Sequence, residues 1–452
     1  MSQKGVFFPA YFSVRTFHMY NPSSLSSQAG VSSPALVRKG LLRQLFCGAY
    51  MQRWNDKLRP CHLAELDKQA HKMIVAHLLW TRTLKGLPDA SDYALAQQII
   101  EGALFDYLFR TVVTDIKPPL FYRIREDNER YTKLAAYVFA TLAPVLSPLG
   151  SFWDRFREWH SERESFGKAR TILKAAHLFA SRWEFRLIEP LNSFDAEMPL
   201  IAKNFDRDLT AMSEEVTGLS EILDAHSAIS RLANFSGQLR FQVRWTQIPR
   251  IPQTDVLGHM FLVGSLAYLY TLAHGACTAR MVNNFFCGLF HDLPELLTRD
   301  IISPVKQSSD ELARLIREYE AEELDRRIFA SLRTAKESVL GTLLGYYLGL
   351  GTDSEFCERI LLQKEPEAET RALAGFAELD TKHDTDAEHP LDGQIVKACD
   401  LLGAYLEAYE SIKSGVSSTT LTNAIFRLTS QLTNTDKVPS CMHLASLLAD
   451  FD

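Results

Sequence analysis

Apolar residues recur three and four positions apart along most of the chain. The pattern is clearest in KMIVAHLLW, AQQIIEGALFDYLF, SEILDAHSAISRLANF and MFLVGSLAYLYTLA. This spacing places apolar side chains on one face of an α-helix. Runs in which Val, Ile and Thr alternate with polar residues, as they do in strands, are nearly absent. The pattern therefore predicts an all-α fold. The Ser-rich residues 1–35 have little periodicity and are expected to form a partly ordered leader.

Composition narrows the class of protein. The chain has 49 Lys plus Arg against 55 Asp plus Glu, and no basic block of the kind that binds nucleic acid or anionic membranes. Its seven cysteines are scattered singly, which argues against a disulfide framework and a Cys-ligated zinc. The sequence shows neither a signal-peptide core nor an uninterrupted apolar run of about 18 residues. We therefore expect a soluble, cytoplasmic protein without nucleic-acid or membrane partners.

Two segments, one in each half of the chain, resemble each other. ALFDYLFRTVVTDIKPP (103–119) aligns without a gap with GLFHDLPELLTRDIISP (288–304). Further pairs follow in the same order: Arg53-Trp54 with Arg244-Trp245, His71 with His259, and His177 with Asp400. Four matches in one order predict a duplication. We expect helical domains at 36–205 and 232–452, joined by a linker helix at 206–231. The alternative is two unrelated bundles whose periodicity aligns by accident.

The second half carries a set of residues typical of metal ligands. His291 and Asp292 are adjacent, while His259 and Asp400 interrupt apolar stretches before and after them. Neighbouring residues on a helix diverge by about 100°, so further ligands for an ion must come from other helices. Imidazole and carboxylate together favour Mn, Fe, Co, Ni or Zn. The sequence thus predicts one divalent transition metal bound by these four residues, although any one alone would more often be a core residue.

These residues also carry a family resemblance. The second half resembles the bacterial 5′-deoxynucleotidase branch of the HD-domain phosphohydrolases in Arg244-Trp245, His259, HDLPELLTRDIISPVK (291–306) and VKACDLLGAYLEA (396–408). The resemblance implies that the four predicted ligands hold one divalent metal and that Glu295 is the general acid or base. It further implies substrate-binding residues, which are Arg244, Trp245, Asp300 and Lys306.

The chain departs from the pattern of this family at several positions. Gly258 stands where Glu is common, and Arg299 stands where a small residue is usual. Pro294 lacks the N–H that a helix interior needs, so we expect the helix to bend or end there. The segment after Lys306 is long, and its His383 and His389 are either solvated loop residues or ligands of a second metal.

The first half lacks the predicted chemistry. In the alignment of the two halves, Asp106-Tyr107 stands in place of the His-Asp pair. Arg110 stands in place of the predicted general acid, and His177 stands in place of the last Asp. An Arg would repel a metal, so this half is expected to be a degenerate, catalytically inactive HD-like domain. Since enzymes that resemble the second half commonly form homodimers, the two halves could build an internal pseudo-dimer.

The sequence thus favours one function and leaves two alternatives open. The favoured function is a metal-dependent phosphohydrolase that removes phosphate from (deoxy)nucleoside 5′-monophosphates. The first alternative is an HD hydrolase of another phosphoester, such as a nucleoside triphosphate or a cyclic nucleotide. The second is a non-catalytic nucleotide sensor, against which the intact His, His-Asp, Glu and Asp series argues.

Overall fold

The computed structural model describes residues 36–162, 164–299, 309–334, 336–363 and 368–451. The predicted leader lies outside these residues, as do Asp300 and Lys306. The first half contains α1 (Lys39–Phe46), α2 (Glu65–Thr81), α3 (Ala90–Val113), α4 (Pro118–Glu126), α5 (Asn128–Leu146), α6 (Ser151–Ser161), α7 (Gly167–Ile188), α8 (Met198–Glu215), α9 (Leu219–Leu223) and α10 (Ala228–Gly237).

The second half continues with α11 (Val256–His274), α12 (Thr278–Phe290), α13 (Glu295–Thr298), α14 (Asp310–Leu324), α15 (Ala330–Leu332), α16 (Ser338–Tyr347), β1 (Arg359–Leu362), β2 (Glu369–Ala372), α17 (Phe376–Lys382), α18 (Gly393–Lys413), α19 (Thr419–Leu432) and α20 (Leu444–Leu448). The predicted all-α class is confirmed. The small antiparallel pair, with Arg359 opposite Ala372, is an addition that the sequence did not predict. Strands of four residues are too short to show a clear period of two.

The segment predicted to be a linker helix is not one helix. Residues 206–231 contain the end of α8, all of α9 and the beginning of α10. The break between α8 and α9 includes Gly218, whose φ of +87° lies in the left-handed region that glycine adopts without steric cost.

A continuous hydrophobic core extends through both halves. Helix α2 packs against α11, and α3 packs against α12. Aromatic contacts cross this boundary, with 4.5 Å between the ring centroids of His77 and Phe286 and 5.2 Å between those of Tyr107 and Phe261. Residues 35–452 accordingly form one compact unit.

Two glycines allow α11 and α12 to lie unusually close together. A Cβ atom on Gly264 would lie 2.7 Å from the carbonyl oxygen of Phe285, and one on Gly288 would lie 2.8 Å from the Cα of Gly264. These distances are shorter than van der Waals contact, so a side chain at either position would push the helices apart. The close approach positions His259 on α11 next to His291 at the end of α12.

Gly258, which stands where related sequences commonly have Glu, lies close to helix α2. A Cβ atom on Gly258 would lie 2.7 Å from Oδ1 of Asp67 and 3.0 Å from Cβ of Leu66, both on α2. The backbone N–H of Gly258 donates to the Asp67 carboxylate. A larger residue at position 258 would therefore have to displace the Asp67 side chain and press against Leu66.

Within the part of the chain that the structure describes, two helical segments are long and apolar enough to cross a membrane by length and composition, namely Asn128–Leu149 and Val256–His274. The sequence had not led us to expect any. The second segment is α11, whose apolar character is that of a core helix because nearly all of its residues are buried. One or two such helices are weak evidence for a membrane span.

Candidate metal centre

Three helices of the second half converge on the predicted ligands. His259 lies in the first turn of α11, where its backbone N–H donates to the carbonyl of Asp255. His291 caps the C-terminus of α12, and Asp292 follows it. Asp400 lies in the third turn of α18. The Pro294 prediction is confirmed, because α12 has ended before the proline and Glu295 begins the separate helix α13.

The four side chains meet in one cluster. Nε2 of His259 is 3.1 Å from Oδ1 of Asp400 and 3.9 Å from Oδ2 of Asp292. Nε2 of His291 is 3.1 Å from Oδ2 of Asp292 and 3.9 Å from Oδ1 of Asp400. Nitrogen and oxygen ligands about 2.1 Å from one ion and at right angles to each other would lie roughly 3.0 Å apart. His259, His291 and Asp292 offer ligand atoms within 4.8 Å of one another and could hold a divalent metal, and Asp400 adjoins this group.

Hydrogen bonding orients the His291 ring toward this cluster. Its Nδ1 lies 2.8 Å from the carbonyl oxygen of Gly288, so Nδ1 carries the proton and donates. The opposite nitrogen, Nε2, is buried and faces the carboxylates of Asp292 and Asp400, at 3.1 Å and 3.9 Å. A metal-binding imidazole has this arrangement, in which a donor bond fixes one nitrogen and the other nitrogen faces the metal position.

The electrostatics of the cluster also suit a cation. Burial alone would lower the pKa of His291, but Asp292 and Asp400 beside it raise that pKa to about 9. Burial opposes ionisation of Asp400, yet Lys397 and His259 hold its pKa well below its usual range. Both carboxylates are thus ionised and favour a positive charge between them.

Glu407 is a member of the site that sequence reasoning missed. It is buried two helical turns after Asp400 and accepts hydrogen bonds from Nε1 of Trp245 at 2.8 Å and from the hydroxyl of Thr254 at 2.8 Å. Its Oε1 lies 3.2 Å from Nε of Arg244. Burial alone would raise the pKa of Glu407, but Arg244 and its other cationic neighbours lower it to about 2. The seven-residue spacing from Asp400, which places both on one helix face, was the available signal.

Arg244 and Trp245 lie beside the cluster and contact Glu407, and their role in substrate binding stays a prediction. Nη1 of Arg244 is 3.4 Å from Oδ2 of Asp292, so its guanidinium joins Glu407 to the cluster. Lys397 is a second cation at the site, with its Nζ 2.8 Å from Oδ2 of Asp400. It lies one turn before Asp400 on α18, a spacing that could have identified it.

The remaining predicted residues lie outside the cluster of four side chains or outside the described residues. Glu295 is buried at the start of α13, close in sequence to Asp292, whose carbonyl accepts the backbone N–H of Glu295. Asp300 and Lys306 lie outside the described residues. His383 pairs with Glu388. His389 is buried and contacts the hydroxyl of Tyr93 at 2.8 Å, so the expectation of a solvated loop histidine was wrong for this residue.

In the first half, His71 does not occupy a place like that of His259. Its Nε2 lies 2.9 Å from the carbonyl of Ala233, and its Nδ1 accepts from Arg240. Lys68 follows Ala64 by four residues, as His259 follows Asp255, and Ala64 and Asp255 each form an isolated backbone bridge. An alignment based on these bridges would pair Lys68 with His259, three residues away from the predicted pairing of His71 with His259.

Residues 236–429 match the family model described as the HD domain. The match spans α11, α12 and α18, the three helices that carry the cluster. It supports an HD-domain family and hence a metal-dependent phosphohydrolase in general. No curated protein matches the chain.

Proposed function

We propose that the chain is a metal-dependent phosphatase that hydrolyses (deoxy)nucleoside 5′-monophosphates. The observation that carries the proposal is the convergence of His259, His291, Asp292 and Asp400 with Arg244 beside them. Four metal ligands next to a guanidinium form a site that suits a phosphate group. The family resemblance of these residues to 5′-deoxynucleotidases supports the nucleoside monophosphate as substrate.

Hydrolysis adds the oxygen of water to phosphorus, breaks the P–O5′ bond and transfers a proton to the leaving oxygen. A divalent ion, when bound, supplies a Lewis acid that activates water and offsets the charge of the phosphate. Arg244, held by Glu407, would orient the phosphate. Glu295 would move the proton, a role that typically contributes about 10²–10⁴-fold to the rate.

Sugar selectivity is assigned in this proposal to Trp245. Its indole N–H is anchored by Glu407, which fixes the plane of the ring beside Arg244. A fixed aromatic ring can pack against a deoxyribose and exclude a 2′-hydroxyl. Asp300, outside the described residues, would hold the 3′-hydroxyl as the resemblance implies.

The experiment is a substrate panel on the full chain loaded with Mn²⁺ or Co²⁺. Deoxyribonucleoside monophosphates should release phosphate fastest, ahead of ribonucleoside monophosphates, and Trp245→Ala should narrow this preference. Equal rates on both sugars would reject the deoxynucleotidase assignment. A preference for triphosphates or cyclic nucleotides would show that the proposed substrate class is wrong. No turnover with any of these nucleotides would favour a nucleotide sensor.

We further propose that the two halves arose by duplication and form an internal pseudo-dimer. Bridges pair Gln52 with Ala64 and Val243 with Asp255, and the two bridges have the same spacing. Inside each bridged loop lies a Trp with positive φ, Trp54 at 55° and Trp245 at 59°. Such a conformation is uncommon for bulky residues, so its recurrence supports common descent.

Side-chain contacts repeat in the same register. Nε1 of Trp54 lies 3.1 Å from Glu184, as Nε1 of Trp245 lies 2.8 Å from Glu407. Arg53 pairs with Glu184 at 2.7 Å, as Arg244 pairs with Glu407. At this register Asp67 is the counterpart of Gly258, and the two touch. In a two-fold interface, the residue on the axis meets its own copy.

A further inference from the structure

The first half contains a buried cluster of cations at the place where the second half holds its candidate metal ligands. Lys68 and Lys72 lie one turn apart on α2, and each is only 2% exposed. His177 on α7 contacts Lys68, with 2.7 Å between Nδ1 and Nζ. Arg110 on α3 completes a set drawn from three helices. We call Lys68, Lys72, Arg110 and His177 the cationic cluster.

Acidic groups neutralise this cluster only in part. The carboxylate of Glu65 is shared, since its oxygens lie 3.0 Å from Arg53, 3.8 Å from Arg110 and 4.0 Å from Lys68. Glu65 is thus shared among three cations, while Arg110 also pairs with the more exposed Asp115 at 3.5 Å. The other buried carboxylate, Glu184, is already paired with Arg53 and Arg240.

The Lys72 ammonium is the least satisfied member of the cluster. Its nearest acidic atom is Oδ2 of Asp106 at 3.9 Å, and no hydrogen bond links it to another of the described residues. Burial lowers the pKa of both Lys72 and Lys68, so an anion in the site would favour their charged forms. The cluster is reachable from solvent, because the side chains of Asp106 and Arg110 are 47% and 28% exposed.

His177 contributes a donor rather than a charge. The field of Lys68, followed by burial, holds the pKa of His177 well below its ordinary value, so the ring is neutral at pH 7. Because an ammonium can only donate, Nδ1 accepts from Lys68 and the proton resides on Nε2. An N–H and the two lysine ammonium groups can all donate to one anion.

We propose that the first half binds a phosphate group through the cationic cluster, in place of a metal ion. The proposal rests on the proposed duplication, which makes Lys68 the counterpart of His259, Arg110 that of Glu295 and His177 that of Asp400. Each change replaces a ligand or acid with a group that donates to anions. The ligand is therefore a phosphate, either free orthophosphate or the 5′-phosphate of a nucleoside monophosphate.

The test uses the full chain carrying His291→Ala and stripped of metal with a chelator, which removes the catalytic centre from the measurement. Isothermal titration with inorganic phosphate and with deoxyadenosine monophosphate should each show binding, and the tighter ligand identifies the source of the phosphate. Adding Lys72→Met should weaken binding at least about tenfold, as for loss of a charge-assisted hydrogen bond. The matched control, Lys168→Met on the exposed start of α7, should leave the affinity unchanged.

Two outcomes would overturn the proposal. One is no phosphate binding to the His291→Ala chain at millimolar concentration, and the other is equal affinity with and without Lys72→Met. Either would make the cluster an internal ion-pair network. If Lys72→Met fails to fold, Arg110→Met at the exposed rim replaces it, and an unchanged affinity there contradicts the proposal equally. Because catalysis is not measured, these outcomes are independent of the phosphatase activity of the second half.

Discussion

Burial and neighbouring charges shift the pKa of His291 in opposite directions. Burial disfavours the imidazolium form, whereas Asp292 and Asp400 raise the pKa of the ring to about 9. A divalent ion in the cluster would take over the role of that proton, because both positive charges are stabilised by the same carboxylates. At the scale of the residue, the site therefore depends on keeping its two carboxylates together.

Removing either kind of ligand should abolish metal binding. His291→Ala and Asp400→Ala are expected to lower bound metal from about one ion per chain, as for a site of this ligand number, to near zero. Turnover should be lost with the metal. Elemental analysis of dialysed protein measures the first effect, and phosphate release measures the second. Asp436→Ala, a change at an exposed acid, should alter neither, and a fully active metal-free Asp400→Ala chain would refute the ligand assignment.

Glu295 should separate chemistry from metal binding. Glu295→Gln keeps the shape of the side chain but cannot exchange a proton, so we expect normal metal content and a kcat lower by about 10²–10⁴-fold. Elemental analysis and single-turnover kinetics on the same preparation provide the two readouts. Normal turnover in this variant would mean that α13 directs the carboxylate away from the leaving oxygen.

At the scale of the element, the distance between α11 and α12 sets the position of His259 relative to His291. Gly264 and Gly288 allow the two backbones to touch, and neither helix has room there for a methyl group. The metal centre is thus sensitive to residues that do not contact it.

Gly264→Ala should destabilise the protein, although alanine favours helices. The added Cβ would lie 2.7 Å from the Phe285 carbonyl, and overpacking of this kind costs about 1–3 kcal/mol. Urea denaturation should show a lower midpoint, and metal affinity should fall because His259 moves. Gly86→Ala, where a Cβ would meet nothing within 4 Å, is the matched control. A stability of Gly264→Ala equal to that of the control would show that the helices adjust freely.

At the scale of the whole molecule, the two halves share their core. The helix pairs α2 with α11 and α3 with α12 bury apolar faces across the boundary between the halves. This arrangement also places the cationic cluster and the candidate metal centre in one compact unit.

Because the core is shared, the full chain should unfold as one cooperative unit. Five of its six tryptophans lie in the first half, so tryptophan fluorescence reports mainly on that half. Far-UV circular dichroism reports on helices throughout the chain. The two signals should give the same guanidinium midpoint, which is the usual sign of a two-state transition. Midpoints that differ clearly would mean that the halves fold independently.

The sequence alone determined the fold class and most of the candidate centre. Apolar periodicity dictates helices because it is a local property, and the His, His-Asp and Asp spacing indicated four candidate ligands in or next to three of them. Pro294 ended its helix as predicted, since the missing N–H acts locally. These inferences required no knowledge of how the helices pack.

Only the tertiary structure decided which distant groups meet. Glu407 was overlooked because its partner Arg244 lies 163 residues away in the sequence. The close contact of Gly258 with Asp67 and Leu66 depends on how α11 and α2 face each other. Periodicity specifies which face of a helix is buried but not its neighbour or its axial position, and those are fixed by packing across the whole core.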